Sequence, residues 1–150
     1  MIRRRKAIHT IRTKSVQETE AAGEALAKAL RGGCIIAFFG GMGMGKTAFV
    51  RGLARGLGID AEVTSPTFAL VHEYGGTPSL YHFDMYRVTS WDGLYSTGFF
   101  DYLDAGGILA VEWSENIEGV LPEDAIRVEF RRGESENERI ITIEKGGEPA

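Results

Sequence analysis

Two unbroken apolar runs dominate the pattern of the chain, Cys34-Ile35-Ile36-Ala37-Phe38-Phe39 and Ile108-Leu109-Ala110-Val111. Runs of this length without alternation predict strands buried on both faces, as in parallel sheets. Around them the apolar positions change period. Ala22, Leu26 and Leu30 recur every fourth residue and predict the buried face of a helix. Ser15-Val16-Gln17-Glu18 is its capping box, and Gly32 and Gly33 end it. A second helical pattern starts at Thr47 and stops near Gly58. Ala7 to Thr13 alternates weakly, as an edge strand would. Phe68–Tyr74 and Leu80–Arg87, separated by Gly75–Ser79, predict an antiparallel hairpin. Trp91–Tyr95 and Phe99–Asp104 read as short helical segments joined at Gly98, and Glu115–Val120 as another, stopped by Pro122. Ile126–Phe130 and Ile140–Ile143 predict a late antiparallel pair at the side of the sheet. The sum is an α/β, single-domain architecture: a mixed, mainly parallel central sheet flanked by helices, with antiparallel edge strands. Residues 1–6 and 146–150 are expected to be loose ends.

Between the first apolar run and the second helix lies Gly40-Gly41-Met42-Gly43-Met44-Gly45-Lys46-Thr47. It fits G-x-x-x-x-G-K-[ST] in the strand–loop–helix context that pattern requires, which makes the predicted domain a P-loop NTPase. Glycines let successive N–H groups turn inward around phosphate oxygens, and the following helix offers its positive end to the same charge. Gly40, Gly43, Met44, Gly45, Lys46, Thr47 and Ala48 are therefore the expected ATP-phosphate contacts. Lys46 reaches the outer phosphates, and the Thr47 hydroxyl ligates Mg²⁺. The segment after the second helix often senses the terminal phosphate, so Thr64, Ser65 and Thr67 are candidates for that role or for simple turn capping.

Such a loop needs a carboxylate to complete the metal site, and ligands collect at the C-terminal ends of strands in open α/β sheets. Glu112 closes the second apolar run and Asp84 the strand beginning at Leu80. Glu112 is assigned to Mg²⁺, because its strand is the more apolar and so the more central. Asp84 is assigned to holding a metal water or polarising the attacking water, with exchange of the two roles open. Lys46, Asp84 and Glu112 form the expected catalytic set. His82 reads as structural, His72 and His9 belong to no recognisable constellation, and Trp113 either shields the site or packs.

Composition narrows the setting. The 150 residues are 43% hydrophobic and 25% charged, which suits one globular domain with a real core. No apolar run approaches the length of a membrane span, and a cytoplasmic protein is expected. Cys34 stands alone, inside the expected buried strand, so it reads as packing. The net charge of −4 argues against broad, unaided nucleic-acid binding. Arg3-Arg4-Arg5-Lys6 is basic and reads as a solvated end, with RNA contact the alternative. An Asn-Lys-x-Asp guanine motif is missing, which favours ATP over GTP.

Phe49-Val50-Arg51-Gly52-Leu53, Ser65-Pro66-Thr67-Phe68, His82-Phe83-Asp84-Met85-Tyr86-Arg87, Gly98-Phe99-Phe100-Asp101-Tyr102 and Val111-Glu112-Trp113 follow the P-loop in an order that resembles the TsaE (YjeE) family. The resemblance runs from about Ser15 to Pro122. It implies an ATPase of tRNA threonylcarbamoyladenosine formation that works with TsaD and TsaB on N6 of adenosine 37, in tRNAs reading codons that begin with A. It implies contact with tRNA only through the complex. It also implies that Lys46 and Thr47 hold phosphate and Mg²⁺, that Glu112 is a metal residue, that Asp84 is needed for hydrolysis and that Trp113 stands beside the site. The chain departs from the pattern at Gly41, Met42 and Met44, where the family usually carries an acidic residue and Leu-Gly-Ala-Gly, and in a less acidic Asp92–Thr97. No arginine stands in a finger position, so a partner is expected to complete the site and hydrolysis by the chain alone to be slow. The alternatives are a small phosphotransferase of the nucleoside kinase kind and a non-catalytic nucleotide switch that docks a partner.

Overall fold

The computed structural model describes residues 5–41, 45–64, 71–86 and 88–148. Its elements are β1 (Arg5–Thr13), α1 (Val16–Ala27), β2 (Ile35–Phe39), α2 (Lys46–Gly56), β3 (Val71–Gly75), β4 (Leu80–Asp84), α3 (Trp91–Ser96), α4 (Phe99–Asp104), β5 (Ile108–Glu112), a 3-10 helix (Ser114–Val120), β6 (Ile126–Arg132) and β7 (Arg139–Glu148). Seven strands form one sheet in the order β1-β7-β6-β2-β5-β4-β3. The four inner strands β6, β2, β5 and β4 run parallel, while β7 and β1 on one side and β3 on the other pair antiparallel.

The two apolar runs sit together at the centre. Ile36, Ala37 and Phe38 in β2 and Ile108 to Val111 in β5 are completely buried, because helices and core residues cover both faces of the sheet. One core holds Phe38, Phe49, Leu53, Ile108, Ala110 and Phe130. The other, on the opposite face, holds Phe83, Leu109, Val111, Leu94 and Phe99 beneath α3 and α4. Ser15 caps α1 as the sequence indicates: its hydroxyl accepts from the Glu18 N–H at 3.1 Å, and the Glu18 carboxylate accepts from the Lys14 N–H at 3.0 Å.

Several boundaries differ from the expectation. α1 ends at Ala27, not near Leu30, because Ala29 and Leu30 bond back three residues to Leu26 and Ala27 and tighten the last turn. Leu30 is only half-buried. Cys34 lies just ahead of β2 and is half-buried, and that burial raises its thiol above the ordinary range. β6 is not peripheral: it bonds β2 in parallel along Ile36–Phe39 and hands the antiparallel pairing on to β7. The expected loose ends are strand from Arg5 and through Glu148, since Arg5 pairs with Glu148. Backbone pairing along an edge does not depend on the polarity of the side chains there. Residues 1–4 and 149–150 lie outside the described set, and with them Arg3 and Arg4 of the basic cluster.

α1 and α2 approach each other through glycine. A Cβ added to Gly52 would overlap the Glu20 carbonyl oxygen, and one added to Gly23 would overlap that of Phe49. Glycine costs an interior helical position about 1 kcal/mol against alanine, so contact with rigid backbone is what keeps it there. Across the same seam Glu20 accepts from Arg51 at 2.7 Å and from Arg55 at 2.9 Å, and the Arg51 hydrogen bond draws its carboxyl below the ordinary range. Gly52→Ala is expected to melt about 2–12 °C below the wild type, because overpacking against backbone costs about 1–3 kcal/mol. Gly119→Ala is the control, since nothing lies within 4 Å of its added Cβ. Equal melting of Gly52→Ala and wild type would exclude this packing account.

Candidate functional site

The end of β2 and the start of α2 shape the site. Gly40, at φ 126°, brings the chain so close to β6 that an added Cβ would lie 2.7 Å from the Phe130 carbonyl oxygen. Gly45 caps α2 at φ 94°, a left-handed conformation that glycine adopts without penalty. Gly45 has no side chain with which to cap α2, and no acidic residue stands in the first turn of the helix. A helix end without a capping side chain or an acidic first turn favours an anion. Gly43 and Met44, which belong to the expected phosphate contacts, lie outside the described residues, as do Met42, Ser65, Thr67 and Arg87.

Lys46 opens the helix and is 5% exposed. Its ammonium donates to the Gly40 carbonyl at 2.8 Å, so the side chain spans from the helix back to the start of the loop. The same ammonium stands 5.0 Å over the Trp113 ring. Thr47 is half-buried and Ala48 buried in the same first turn.

Strand register supplies the carboxylates. β4 and β5 run parallel with Asp84 opposite Glu112 and His82 opposite Ala110. Side chains alternate along a strand, so His82, Asp84 and Glu112 project on the same face of the sheet. That face carries Leu80, Ile108 and Ala110 into the core beneath α2. Glu112 is 6% exposed and His82 is 0% exposed. Asp84 is half-buried, and desolvation raises its carboxyl above the ordinary range. The Tyr86 N–H, donating to Oδ1 at 2.9 Å, acts against that shift, and the neighbouring charge of Glu112 adds to it.

Mg²⁺ takes hard oxygen ligands and usually keeps several waters, held by one or two carboxylates together with substrate phosphates. The donors present fit that demand: the Thr47 hydroxyl lies in the first turn of α2, and Glu112 and Asp84 end neighbouring strands. Among the described residues no group of three or more His, Cys, Asp or Glu side chains could form an all-protein cage.

Several contacts at the site are not evident from spacing. Glu115, from the 3-10 helix, accepts from the Gly40 N–H at 3.2 Å and braces the start of the loop. Asn116 donates to the carbonyls of Met85 and Tyr86 at 2.6 and 3.1 Å, fastening that helix to the end of β4. Trp113 takes a left-handed backbone at φ 59° and packs against Tyr86 with ring centroids 4.9 Å apart and the planes tilted by 58°. It is therefore half-buried at the site, beside Lys46. His82, expected to be structural, contacts Glu112 with Nε2 at 2.6 Å from Oε2. On its other side the Tyr74 hydroxyl lies 3.0 Å from His82 Nδ1 and 3.3 Å from His72 Nδ1, and donates to the Thr64 carbonyl at 3.1 Å. Desolvation pushes the Tyr74 phenol up to about 12, so it remains a donor. The one legible trace of this chain was the two-residue spacing of His82 and Asp84, which places them on one face. Tyr74 needed the hairpin register. His9 is exposed on β1.

Comparison with known proteins identifies the family and the fold. The family model described as "Threonylcarbamoyl adenosine biosynthesis protein TsaE" matches residues 13–141. A relative in Treponema pallidum named tRNA threonylcarbamoyladenosine biosynthesis protein TsaE is 37% identical over 119 residues, covering 79% of this chain and 88% of that one. Its namesake in Bacillus subtilis is 37% identical over 133 residues, covering 88% of this chain and 82% of the relative. The crystal structure of YdiB of Bacillus subtilis superposes with a TM-score of 0.79 at 32% identity, covering 97% of this chain and 90% of that one. The chain therefore belongs to the TsaE family.

Proposed function

We propose that the chain is the Mg²⁺-dependent ATPase subunit of tRNA threonylcarbamoyladenosine formation. It acts with TsaD-like and TsaB-like proteins to modify N6 of adenosine 37 in tRNAs reading codons that begin with A. The observation that carries the proposal is a juxtaposition. Lys46, buried at the positive end of α2, stands over Trp113, the neighbour of Glu112, and its charge acts on Asp84, which pairs with Glu112 at the ends of adjoining strands. An anion-binding helix end beside two carboxylates is the arrangement that phosphoryl transfer to water demands.

In this reading the N–H groups of the loop and of the first turn of α2 cradle the phosphates, and Lys46 turns from Gly40 to their oxygens. Thr47 and Glu112 hold Mg²⁺, which when bound offsets charge on the phosphoryl oxygens. Asp84 accepts a proton from the attacking water, and its raised carboxyl suits that task. Trp113 covers the Lys46 ammonium and limits water around it. tRNA is reached through the complex, in keeping with the net charge of −4. The work is cytoplasmic. Among the described residues no helix is long and apolar enough to cross a membrane.

The test is phosphate release from ATP and Mg²⁺ by the chain alone and with its TsaD-like and TsaB-like partners. Slow release alone, at least about tenfold faster with the partners, is expected, since a group stabilising the transition state that arrives from outside is worth at least that much. A fast rate that ignores the partners, or transfer of phosphate to a nucleoside, would overturn the reading.

A further inference from the structure

The contact between His82 and Glu112 has no role in the mechanism above, yet it is the shortest contact between two side chains at the site. A carboxylate only accepts hydrogen bonds, so the His82 Nε2 that meets Glu112 at 2.6 Å carries the hydrogen and donates it. Every other approach to the ring is closed: His82 is 0% exposed, and Tyr74 faces Nδ1 at 3.0 Å with its ring centroid 5.9 Å away. The Tyr74 hydroxyl also lies 3.1 Å from the Thr64 carbonyl, in the segment that follows α2, and its single hydrogen is shared between that carbonyl and Nδ1. Four groups from three parts of the chain thus form one line, Thr64–Tyr74–His82–Glu112, ending on the carboxylate assigned to the metal.

We propose that His82 is a positioning residue for Mg²⁺. It holds Glu112 by Oε2, so that the other carboxylate oxygen faces the metal or its water, and Tyr74 fixes the ring that does so. This rests on the reading of Glu112 as the metal carboxylate. A glutamate has three rotatable bonds, and a ligand that must be ordered at each binding event binds more weakly than one already held. Hydrogen bonds to metal-ligating groups are the usual device for this, and removing them typically costs about 10–100-fold in metal affinity or activity. Pure packing would not explain the choice of residue, because an apolar ring would fill the buried position without a partner for Nε2.

Two amide replacements separate positioning from packing. The His82→Gln amide nitrogen reaches about as far as Nε2 and can still donate to Glu112. The shorter His82→Asn reaches only to the place of Nδ1, keeping Tyr74 and losing Glu112. The measurement is binding of a non-hydrolysable ATP analogue by calorimetry, across a Mg²⁺ titration and again in chelator. His82→Asn should need about 10–100-fold more Mg²⁺ to tighten the analogue, with binding in chelator unchanged. His82→Gln should recover most of the wild-type dependence. Tyr74→Phe, which keeps the His82–Glu112 contact but releases the ring, should need about three- to tenfold more. If His82→Asn does not fold, Tyr74→Phe decides. Mg²⁺ dependence equal to wild type in Tyr74→Phe and in any folded His82→Asn overturns the proposal. If the wild-type chain itself shows no Mg²⁺-dependent tightening, it is the assignment of Glu112 that fails.

Discussion

Lys46→Ala should bind ATP about 10–100-fold more weakly than the wild type and lose about a further 10²–10³-fold in hydrolysis once bound. The first loss is one charge-assisted contact to a phosphate, worth about 1.5–3 kcal/mol. The second arises because charge grows on the phosphoryl oxygens as the bond to the leaving group breaks. A fixed ammonium in a site closed to water is worth more at that moment than in the ground state. The position of Lys46 supports this weighting, with its ammonium held between the Gly40 carbonyl and the Trp113 ring at 5% exposure. The fold should survive, because α2 is anchored by Phe49, Val50 and Leu53, all completely buried. Anisotropy of a fluorescent ATP analogue measures the first loss, and phosphate release at saturating ATP the second. A Lys46→Ala chain that binds and hydrolyses ATP as the wild type does would remove the basis of the proposed function.

Phe49→Ala should be the most damaging single change to stability. Phe49 stands on α2 and meets Phe38 of β2 and Phe130 of β6 edge-on, with centroids 5.7 and 5.6 Å apart. Phe38 and Phe130 complete the triangle at 5.9 Å. The three rings join the P-loop helix to the strand that precedes it and to the neighbouring strand. Removing a buried phenyl costs about 3–5 kcal/mol, through lost burial and the cavity left behind. Domains have only about 5–15 kcal/mol in all, and the variant should melt about 6–20 °C below the wild type. Phe49→Leu should lose less, because it refills part of the space. A calorimetric melting point for Phe49→Ala within about 2 °C of the wild type would show that the ring triangle is not what seats α2.

Lys46 stands out in the sequence alone, and the reason is local chemistry, whereas the ring triangle of Phe49 does not. A strand buried on both faces must be apolar throughout, which is why β2 and β5 were visible as runs. A phosphate loop must be glycine-rich and followed by a helix, so Gly40, Gly45 and Lys46 announced themselves. The capping box at Ser15 and the glycine break at Gly98 act within a few residues, and both stand where expected. What was missed is non-local. β6 was expected at the side because its alternation suggests a half-covered strand, but alternation cannot name the neighbour. Parallel bonding to β2 is a choice made by the whole sheet. The early end of α1 depends on how its last turn tightens, which composition does not encode. Glu115 and Tyr74 carry no motif of their own, and the motif that contains His82 does not say what its ring touches. Each gained its meaning only from the atom it touches.

Hydrogen-bonding need and side-chain period therefore sufficed to declare an α/β chain with a phosphate loop and acidic strand ends, since those requirements are met within a few neighbouring residues. Chain closure over longer spans settled the rest. Strand order set Asp84 opposite Glu112, and the β3–β4 hairpin delivered Tyr74 to His82. A contact between residues 30 apart along the chain is decided by which surfaces pack together, and no stretch of sequence carries that information alone.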